Sequence, residues 1–180
     1  TDLNLGYPAE WEKARQIKYA QGFTRPGPRD FVGTAPLAEP ENRAMAAFTQ
    51  SHDFLLIIAY HTQGEVIYWK FLDFEPPRSR EIADAFAQAS GYAVEETPFA
   101  SGFAGYKDWF IQTYNRPGYT IEVGRGIAPL PLEQLLASPS AKPHYESFGE
   151  ERVAAGIYTD VVRWSHVSAI CNALAKHYGL

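Results

Sequence analysis

Two residues, His61 and Glu122, have side chains that can do chemistry and positions that hydrophobic patterning does not explain. His61 follows the apolar run 54–60, and Glu122 lies in the middle of the apolar stretch 119–124. An imidazole is a common metal ligand. A buried carboxylate is costly unless it is paired, neutralised or open to a cleft. The two residues are therefore candidates for a metal site and for acid–base chemistry.

Each residue also has a purely structural interpretation. His61 fits a hydrogen-bonded histidine at a strand end, and on that stretch alone the structural role is the stronger interpretation. Glu122 fits an ion pair with a nearby guanidinium, either Arg116 or Arg125. For Glu122 the spacing favours neither alternative, so the flanking motifs must decide.

The rest of the sequence offers no complete metal site by spacing. A catalytic zinc takes three protein ligands and keeps one position open, but no His-x-x-Glu occurs in the chain. The pair His61 and Glu65 spans a turn rather than one helical face. The remaining candidate ligands show no ligand spacing; they are His52, His144, His166, His177 and Cys171. Phosphate-binding and nucleophile-elbow motifs are also absent from the sequence.

Alternating helical and strand patterns surround these residues and predict an α/β fold with a mixed central sheet. Strands are predicted over 54–60, 65–71 and 119–124. Helices are predicted from 8 to 20, from about 40 to 51, over 79–91 and 106–114, from 129, and over 160–177. The segment 93–104 is predicted to be irregular. The run 54–60 is continuously apolar, as in strands that are buried on both faces.

Helical spacing predicts two buried faces. Ala44, Ala47 and Phe48 fall on one face of the second helix, and Ile82, Phe86 and Ala89 form a stripe on the third. Pro8 suits the first turn of the first helix.

Composition excludes several function classes. At 180 residues with 46% hydrophobic content, the chain suits one folded domain, 1–180, with a possible insertion at 137–159. The net charge of −5 gives no basic footprint for nucleic acid. No apolar run approaches the ~20 residues that span a bilayer. The composition leaves the compartment open.

Four stretches carry a family resemblance. The segment 61–69, His-Thr-Gln-Gly-Glu-Val-Ile-Tyr-Trp, resembles the third-ligand segment of bacterial zinc peptidases of the carboxypeptidase A superfamily. Residues 1–5, Thr-Asp-Leu-Asn-Leu, resemble the family's Asp-x-Asn-Arg segment. Residues 27–41 resemble its approach to the ligand strand, and residues 101–124 resemble its catalytic-glutamate region. The resemblance keeps the family's order from residue 1 to about 134.

The resemblance implies the C-terminal part of a carboxypeptidase-like domain, with helices on both faces of the sheet. It implies zinc as the cofactor, His61 as one ligand and Glu122 as the general base. Asn4, Thr62 and Gln63 would bind substrate. The family's mobile tyrosine aligns with Phe103, and Tyr106, three residues on, is the alternative that carries a hydroxyl.

The branch that the chain resembles cleaves the γ-D-glutamyl–diaminopimelate bond of peptidoglycan. Three departures from its pattern leave a second hypothesis open: the His-x-x-Glu pair belongs upstream of residue 1, Leu5 replaces an arginine, and Phe103 aligns with the tyrosine. The first hypothesis is a zinc metallopeptidase of which this chain is the inactive C-terminal part. The second is a non-catalytic homologue that binds cell-wall peptide. Partners would be a peptide and the upstream remainder of the domain.

Overall fold

A computed structural model of the chain describes residues 1–61 and 64–123. Within them lie helices α1 (Trp11–Ala20), α2 (Pro40–Gln50), α3 (Ser79–Ser90) and α4 (Tyr106–Tyr114). The strands are β1 (Ile57–His61), β2 (Val66–Tyr68), β3 (Ala93–Glu95) and β4 (Gly118–Glu122). Short 3₁₀ turns cover Leu3–Leu5 and Phe99–Ser101. The helices predicted beyond residue 124 and the possible insertion at 137–159 lie outside the described residues.

The four strands form one mixed sheet in the order β1-β4-β2-β3. Strands β2 and β3 are parallel, whereas β2 and β4 are antiparallel, with Ile67 opposite Ile121 at the centre. Both isoleucines are fully buried. The α/β class with a mixed sheet is thereby confirmed.

Helix α3 connects the parallel strands β2 and β3, as parallel pairing requires. Ile82 and Phe86 are buried as predicted, but Ala89 is exposed and Ser90 is buried in its place. The Ser90 hydroxyl donates to the Phe86 carbonyl at 2.8 Å, which satisfies it without solvent. Strand β3 lies in the segment 93–104, which was predicted to be irregular. None of its three residues is buried, so its sequence shows no alternation of apolar and polar residues.

Strand β1 is shorter and less buried than its apolar sequence predicted. It begins at Ile57 rather than at residue 54, because the Phe54 carbonyl accepts a hydrogen bond from Arg116 outside the sheet. Only Ile57 is buried, and Tyr60 is 43% exposed. The partial exposure of its other four residues contradicts the predicted burial on both faces.

Helix α2 buries the face opposite to the one that hydrophobic spacing predicted. The exposed residues include Ala44, Ala47 and Phe48, and the buried residues are Asn42, Ala46 and Thr49. The polar members of the buried face have partners elsewhere in the chain. Asn42 donates to the Leu3 carbonyl at 2.7 Å, and the Thr49 hydroxyl lies 2.8 Å from the Tyr106 hydroxyl. Because Asn42 and Thr49 have these distant hydrogen-bond partners, the face of α2 that carries them is buried and the predicted apolar face is exposed.

Helix α1 begins at Trp11 rather than at Pro8 because the preceding segment pairs with another part of the chain. The Tyr7 amide donates to the Ala104 carbonyl at 3.0 Å, and the Ala104 amide donates to the Ala9 carbonyl at 2.7 Å. Those hydrogen bonds hold residues 7–9 in a bridging conformation instead of a helical turn.

Two compact units divide the chain. The first unit comprises Thr1–Ala59, Trp69–Ser79 and Glu96–Tyr119. Its core is rich in aromatic residues, among them Tyr7, Trp11, Phe71, Phe103 and Trp109. The described residues of the second unit are 60–61, 64–68, 80–95 and 120–123. In the described part of the chain, no helix has the length and apolar character that a membrane crossing requires.

Candidate functional site

His61 and Glu122 occupy the last positions of two neighbouring strands, β1 and β4. The Val123 amide donates to the His61 carbonyl at 2.8 Å, and the Ile57 amide donates to the Pro117 carbonyl at 3.2 Å. The strands therefore run in the same direction, so their carboxyl ends adjoin. Ligands of α/β sheets bind at such ends.

Glu122 also faces strand β2, where it stands opposite Val66 in the register. Its residue is half-buried, and its Oε2 atom is shielded from solvent. Gly64 precedes this strand with a φ of 154°, a conformation that favours glycine. A Cβ atom at Gly64 would lie 3.3 Å from Cγ1 of Val66 and 3.8 Å from Cβ of Glu122. Glycine therefore lets the backbone at residue 64 pass close to the carboxylate-bearing strand.

Tyr68 is a member of this site that the sequence interpretation missed. It stands opposite Thr120, two residues before Glu122, so the alternation of β4 puts Thr120 and Glu122 on one face. Burial raises the pKa of the Tyr68 phenol above its ordinary value, and the negative charges of Glu122 and then Glu95 raise it further. The phenol thus stays protonated near Glu122. Period-two alternation along β2 and β4 is the signal that could have identified it.

Arg116 and Arg125 were the two predicted ion-pair partners of Glu122. Arg116 makes its ion pair with Asp53, with 2.6 Å between Nη1 and Oδ1, and it also donates to the Phe54 carbonyl. Arg125 lies outside the described residues. Arg116 thus fastens the start of the β1 segment in the first unit.

Tyr106 begins helix α4 in the first unit, and its ring packs against the rings of Tyr7 and Trp109. Thr49 gives its single hydroxyl proton to the Met45 carbonyl at 2.8 Å. The Tyr106 hydroxyl is therefore the donor in its 2.8 Å contact with Thr49. Burial raises the pKa of Tyr106, the Thr49 hydrogen bond opposes that rise, and Tyr114 adds to it.

Asn4 lies in the 3₁₀ turn Leu3–Leu5 with an exposed side chain, and its backbone amide donates to Asp2 Oδ1 at 3.1 Å. Leu5 is 6% exposed and belongs to the aromatic core of the first unit. The structure thus brings His61 and Glu122 to adjoining strand ends, whereas Asn4 and Tyr106 belong to the first unit. Thr62 and Gln63 lie outside the described residues, and the roles of all six residues remain predictions.

Phe103 contributes no hydroxyl and packs as a core residue. It is 5% exposed, and its ring meets the rings of Phe71 and Phe99 edge-on.

Lys107 and Asp108, in the first turn of α4, form a buried charged pair that the sequence analysis also missed. Lys107 Nζ lies 2.5 Å from Asp108 Oδ1, and the two side chains are 3% and 4% exposed. The same Nζ donates to the Lys70 carbonyl at 2.7 Å and to Thr97 Oγ1 at 3.3 Å. The Gly105 amide donates to Asp108 Oδ2 at 3.2 Å. An acidic side chain at a helix N-terminus was the visible signal.

The described residues do not make a complete metal centre. In the ranges 1–61 and 64–123, no three His, Cys, Asp or Glu side chains lie close enough together to hold a metal ion. His61 suits one position of a zinc site, since a neutral imidazole is a preferred zinc ligand. The other ligands of such a site must come from outside these residues.

The family model described as zinc carboxypeptidase matches residues 1–140. The chain is 48% identical over 133 residues to "Gamma-D-glutamyl-L-diamino acid endopeptidase 1" of Lysinibacillus sphaericus, covering 74% of this chain and 32% of that protein. It is 39% identical over 133 residues to the uncharacterized protein YqgT of Bacillus subtilis strain 168, covering 74% of this chain and 34% of that protein. The chain thus spans about a third of the length of these curated relatives.

Among solved structures, the chain resembles carboxypeptidase A from Helicoverpa armigera with a TM-score of 0.56 and 18% sequence identity. The alignment covers 99% of this chain and 42% of that enzyme. This likeness confirms the carboxypeptidase-like fold.

Proposed function

This chain belongs to the zinc carboxypeptidase family, and from that premise we propose that it supplies part of the active site of a zinc peptidase. Zinc is the cofactor that the family implies. The observation that carries the proposal is the position of His61 and Glu122 at the adjoining ends of neighbouring strands. An imidazole and a carboxylate placed there supply one metal ligand and one proton-transfer group.

We infer the substrate from the relatives and from the resemblance of residues 61–69 and 101–124. The proposed reaction is hydrolysis of the amide bond between γ-D-glutamate and diaminopimelate in peptidoglycan peptides of a bacterium. The bacterial relative that is 48% identical bears a name that describes this bond type.

Glu122 is proposed to move the proton in this hydrolysis. Its carboxylate takes a proton from the water that attacks the scissile carbonyl, and it passes that proton to the departing amine. A bound zinc ion would polarise the carbonyl and acidify the water, which lets a carboxylate act as the base at neutral pH. Asn4 would donate a hydrogen bond to the peptide, as would Thr62 and Gln63, and Tyr106 would supply a hydroxyl.

The described residues provide His61 but no set of three ligands, so we propose that the remaining ligands lie elsewhere in the full-length protein. The sequence contains no His-x-x-Glu pair, and the 180-residue chain alone is for that reason expected to be inactive. Cleavage by this chain that a chelator abolishes would contradict that expectation.

The test uses the full-length gene product. Its zinc content is measured by atomic absorption, and its hydrolysis of γ-D-glutamyl-meso-diaminopimelate is followed by the release of the new amine. We expect one zinc ion per chain and cleavage that a chelator abolishes and zinc restores. Stoichiometric zinc without cleavage of this peptide would overturn the peptidase proposal.

A second candidate is a non-catalytic homologue that binds cell-wall peptide. The observation that favours it is the burial of Leu5, which stands where the family has an arginine and contributes only apolar surface. The same assay separates the two candidates, because the second predicts peptide binding without hydrolysis.

A further inference from the structure

An aromatic patch lies on the surface of the first unit, on the last turns of helix α2 and the segment that follows it. The rings of Phe48, His52 and Phe54 pack on one another, with centroids 4.4 Å, 5.2 Å and 5.6 Å apart. Met45 precedes Phe48 by about one helical turn, and Leu55 follows Phe54. These five residues form the α2 patch, in which Met45, Phe48 and Leu55 are 41%, 50% and 63% exposed. Scattered apolar side chains are normal on a surface, but a contiguous group marks an interaction site.

Helix α2 cannot turn to bury this patch within the first unit. Its opposite face carries Asn42 and Thr49, which are both buried. Asn42 donates to the Leu3 carbonyl, and the Thr49 hydroxyl accepts from Tyr106. A rotation that brought Phe48 inward would break both hydrogen bonds. A helix that is buried on one face and apolar on the other therefore needs a second partner.

Two further contacts fix the shape of the α2 patch. The His52 Nδ1 atom donates to the Phe48 carbonyl at 2.8 Å, which holds the imidazole against the end of α2. Arg116 Nη1 donates to the Phe54 carbonyl at 2.7 Å and pairs with Asp53 at 2.6 Å. Because the rings are arranged in advance, a partner that packs on them orders few new groups.

The length of the related proteins indicates what covers the patch. The chain spans about a third of the length of the curated relatives, and it matches 42% of the carboxypeptidase A chain that has its fold. A protein of that length contains more polypeptide outside the matched region than within it. Of the five patch residues only His52 can carry a charge, so the patch complements an apolar face rather than a charged ligand.

We propose that the α2 patch is an internal packing surface of the full-length protein, covered by an apolar face of the same domain that lies outside these 180 residues. Phe48 and Phe54 form its centre, and Met45 and Leu55 form its edges. The interface is independent of the proposed hydrolysis, because its packing requires neither zinc nor cleavage. Cleavage by a full-length protein with an uncovered patch would overturn the interface and leave the peptidase intact.

Met45 reports on the cover directly, because it is the single methionine of the 180-residue chain. Peroxide oxidises exposed methionine to the sulfoxide, and burial protects it. The full-length protein and the 180-residue chain are both treated with peroxide, and mass spectrometry follows the tryptic peptide 44–70, which carries the whole patch. We expect Met45 to oxidise at least about tenfold more slowly in the full-length protein. Equal rates, or slow oxidation in the 180-residue chain as well, would overturn the proposal.

Phe48→Asp tests the same surface through stability. A carboxylate at this half-exposed position stays hydrated in the 180-residue chain, whereas a cover would bury it without a partner. The melting temperature should therefore fall by at least about 5 °C in the full-length protein and by less than about 2 °C in the 180-residue chain. Phe99→Asp is the matched control, because it replaces a 66% exposed ring outside the patch and should shift both melting temperatures equally. Equal shifts for Phe48→Asp would overturn the proposal.

A second copy of the protein is the competing occupant. Protection of Met45 by a second copy depends on protein concentration, whereas protection by the same polypeptide does not. The peroxide experiment is therefore repeated at dilutions where analytical ultracentrifugation finds a monomer. Protection that persists in the monomer supports the proposal, and protection that is lost on dilution overturns it.

Discussion

Buried charge has a different environment in each of the two units. In the first unit, Lys107 is matched by the carboxylate of the next residue and by two further oxygen atoms. In the second unit, Glu122 ends a strand, and its negative charge raises the pKa of the Tyr68 phenol. In the first unit the charge of Lys107 is neutralised, and its hydrogen bonds hold the segments of Lys70 and Thr97 in place. In the second unit the negative charge of Glu122 acts on a phenol that remains protonated, and we propose the carboxylate for proton transfer.

Lys107 and Asp108 are a buried ion pair whose environment is known in detail, whereas the role of Glu122 remains a prediction. The structural alternative considered for Glu122, an ion pair within an apolar segment, is the one that Lys107 and Asp108 realise. Removal of a charge should therefore destabilise the fold in the first unit, whereas in the second unit it should remove activity and leave the fold intact.

The largest effect is expected from Glu122→Gln in the full-length protein. Proton transfer by a positioned side chain contributes roughly 10²- to 10⁴-fold, so kcat for the γ-D-glutamyl–diaminopimelate peptide should fall by at least about 100-fold. Glutamine keeps the shape of the side chain and cannot accept the proton. The measurement is steady-state kinetics, with zinc content measured in parallel.

Glu95→Gln serves as the matched control for this prediction, because it removes an exposed carboxylate from strand β3, which pairs with β2 and not with β4. Its kcat should match that of the unsubstituted protein. A Glu122→Gln protein that keeps its zinc and retains full kcat would show that Glu122 is not the base.

A large effect on folding is expected from Lys107→Met in the 180-residue chain. The substitution leaves the Asp108 carboxylate buried without its cation, and breaking such a pair costs about 3–5 kcal/mol. The free energy of unfolding is measured by urea titration with circular dichroism. Lys13→Met, at an exposed position of α1, should change it by less than about 0.5 kcal/mol.

A double variant sharpens the interpretation of that loss. Lys107→Met combined with Asp108→Asn removes both charges, and the amide oxygen can still accept from the Gly105 amide. Stability should recover in part, because replacing a whole buried pair costs less than breaking it. A double variant that is less stable than Lys107→Met would argue against an electrostatic origin.

A smaller effect on stability is expected for Tyr106→Phe. This substitution tests whether the Tyr106 hydroxyl has a structural role, a catalytic role or both. Loss of the hydrogen bond to Thr49 should cost about 1 kcal/mol of unfolding free energy. Thr49→Val removes the same hydrogen bond and leaves the phenol in place. If Tyr106 supplies the catalytic hydroxyl, only Tyr106→Phe should lower kcat in the full-length protein. Equal kcat for both variants would confine Tyr106 to a structural role.

Sequence patterns predicted the elements that carry a strong local signal. Helix α3 has the spacing of Ile82 and Phe86 and ends before Gly91, whose φ of 78° suits glycine. Strand β3 was missed because its alternation is too weak to see in three mostly exposed residues. The buried face of α2 was predicted wrongly because Asn42 and Thr49 form hydrogen bonds with residues 39 and 57 positions away in sequence. No local pattern records such partners.

The same reasoning explains the site. His61 and Glu122 were predictable as a pair because each interrupts an apolar run at a strand end. Lys107 was not, because a lysine in the first turn of a helix is usually solvated. Its partners, at Lys70 and Thr97, come from separate loops that only the fold brings together.

The smallest effect is a change in the pKa of Tyr68 in Glu122→Gln. Burial is the main cause of the raised pKa, and the charge of Glu122 is the second cause. Neutralising Glu122 should lower the pKa of Tyr68 and still leave it above the ordinary value of about 10. The measurement is an alkaline NMR titration of the 180-residue chain with ¹³C-labelled tyrosine. Tyr106 is the internal control, because its pKa is raised by burial and by Tyr114 within the first unit.

The sign of the linked stability follows from the direction of that shift. A phenol whose pKa is raised by folding contributes stability that is complete below about pH 10 and is lost as the pH rises through the folded-state pKa. Glu122→Gln narrows the gap between the folded and unfolded pKa values of Tyr68, so the alkaline loss of stability should become smaller. An unchanged Tyr68 titration would mean that the Glu122 charge does not affect the pKa of this phenol. The contrast between a paired charge in the first unit and a charge that shifts a neighbouring pKa in the second would then be wrong.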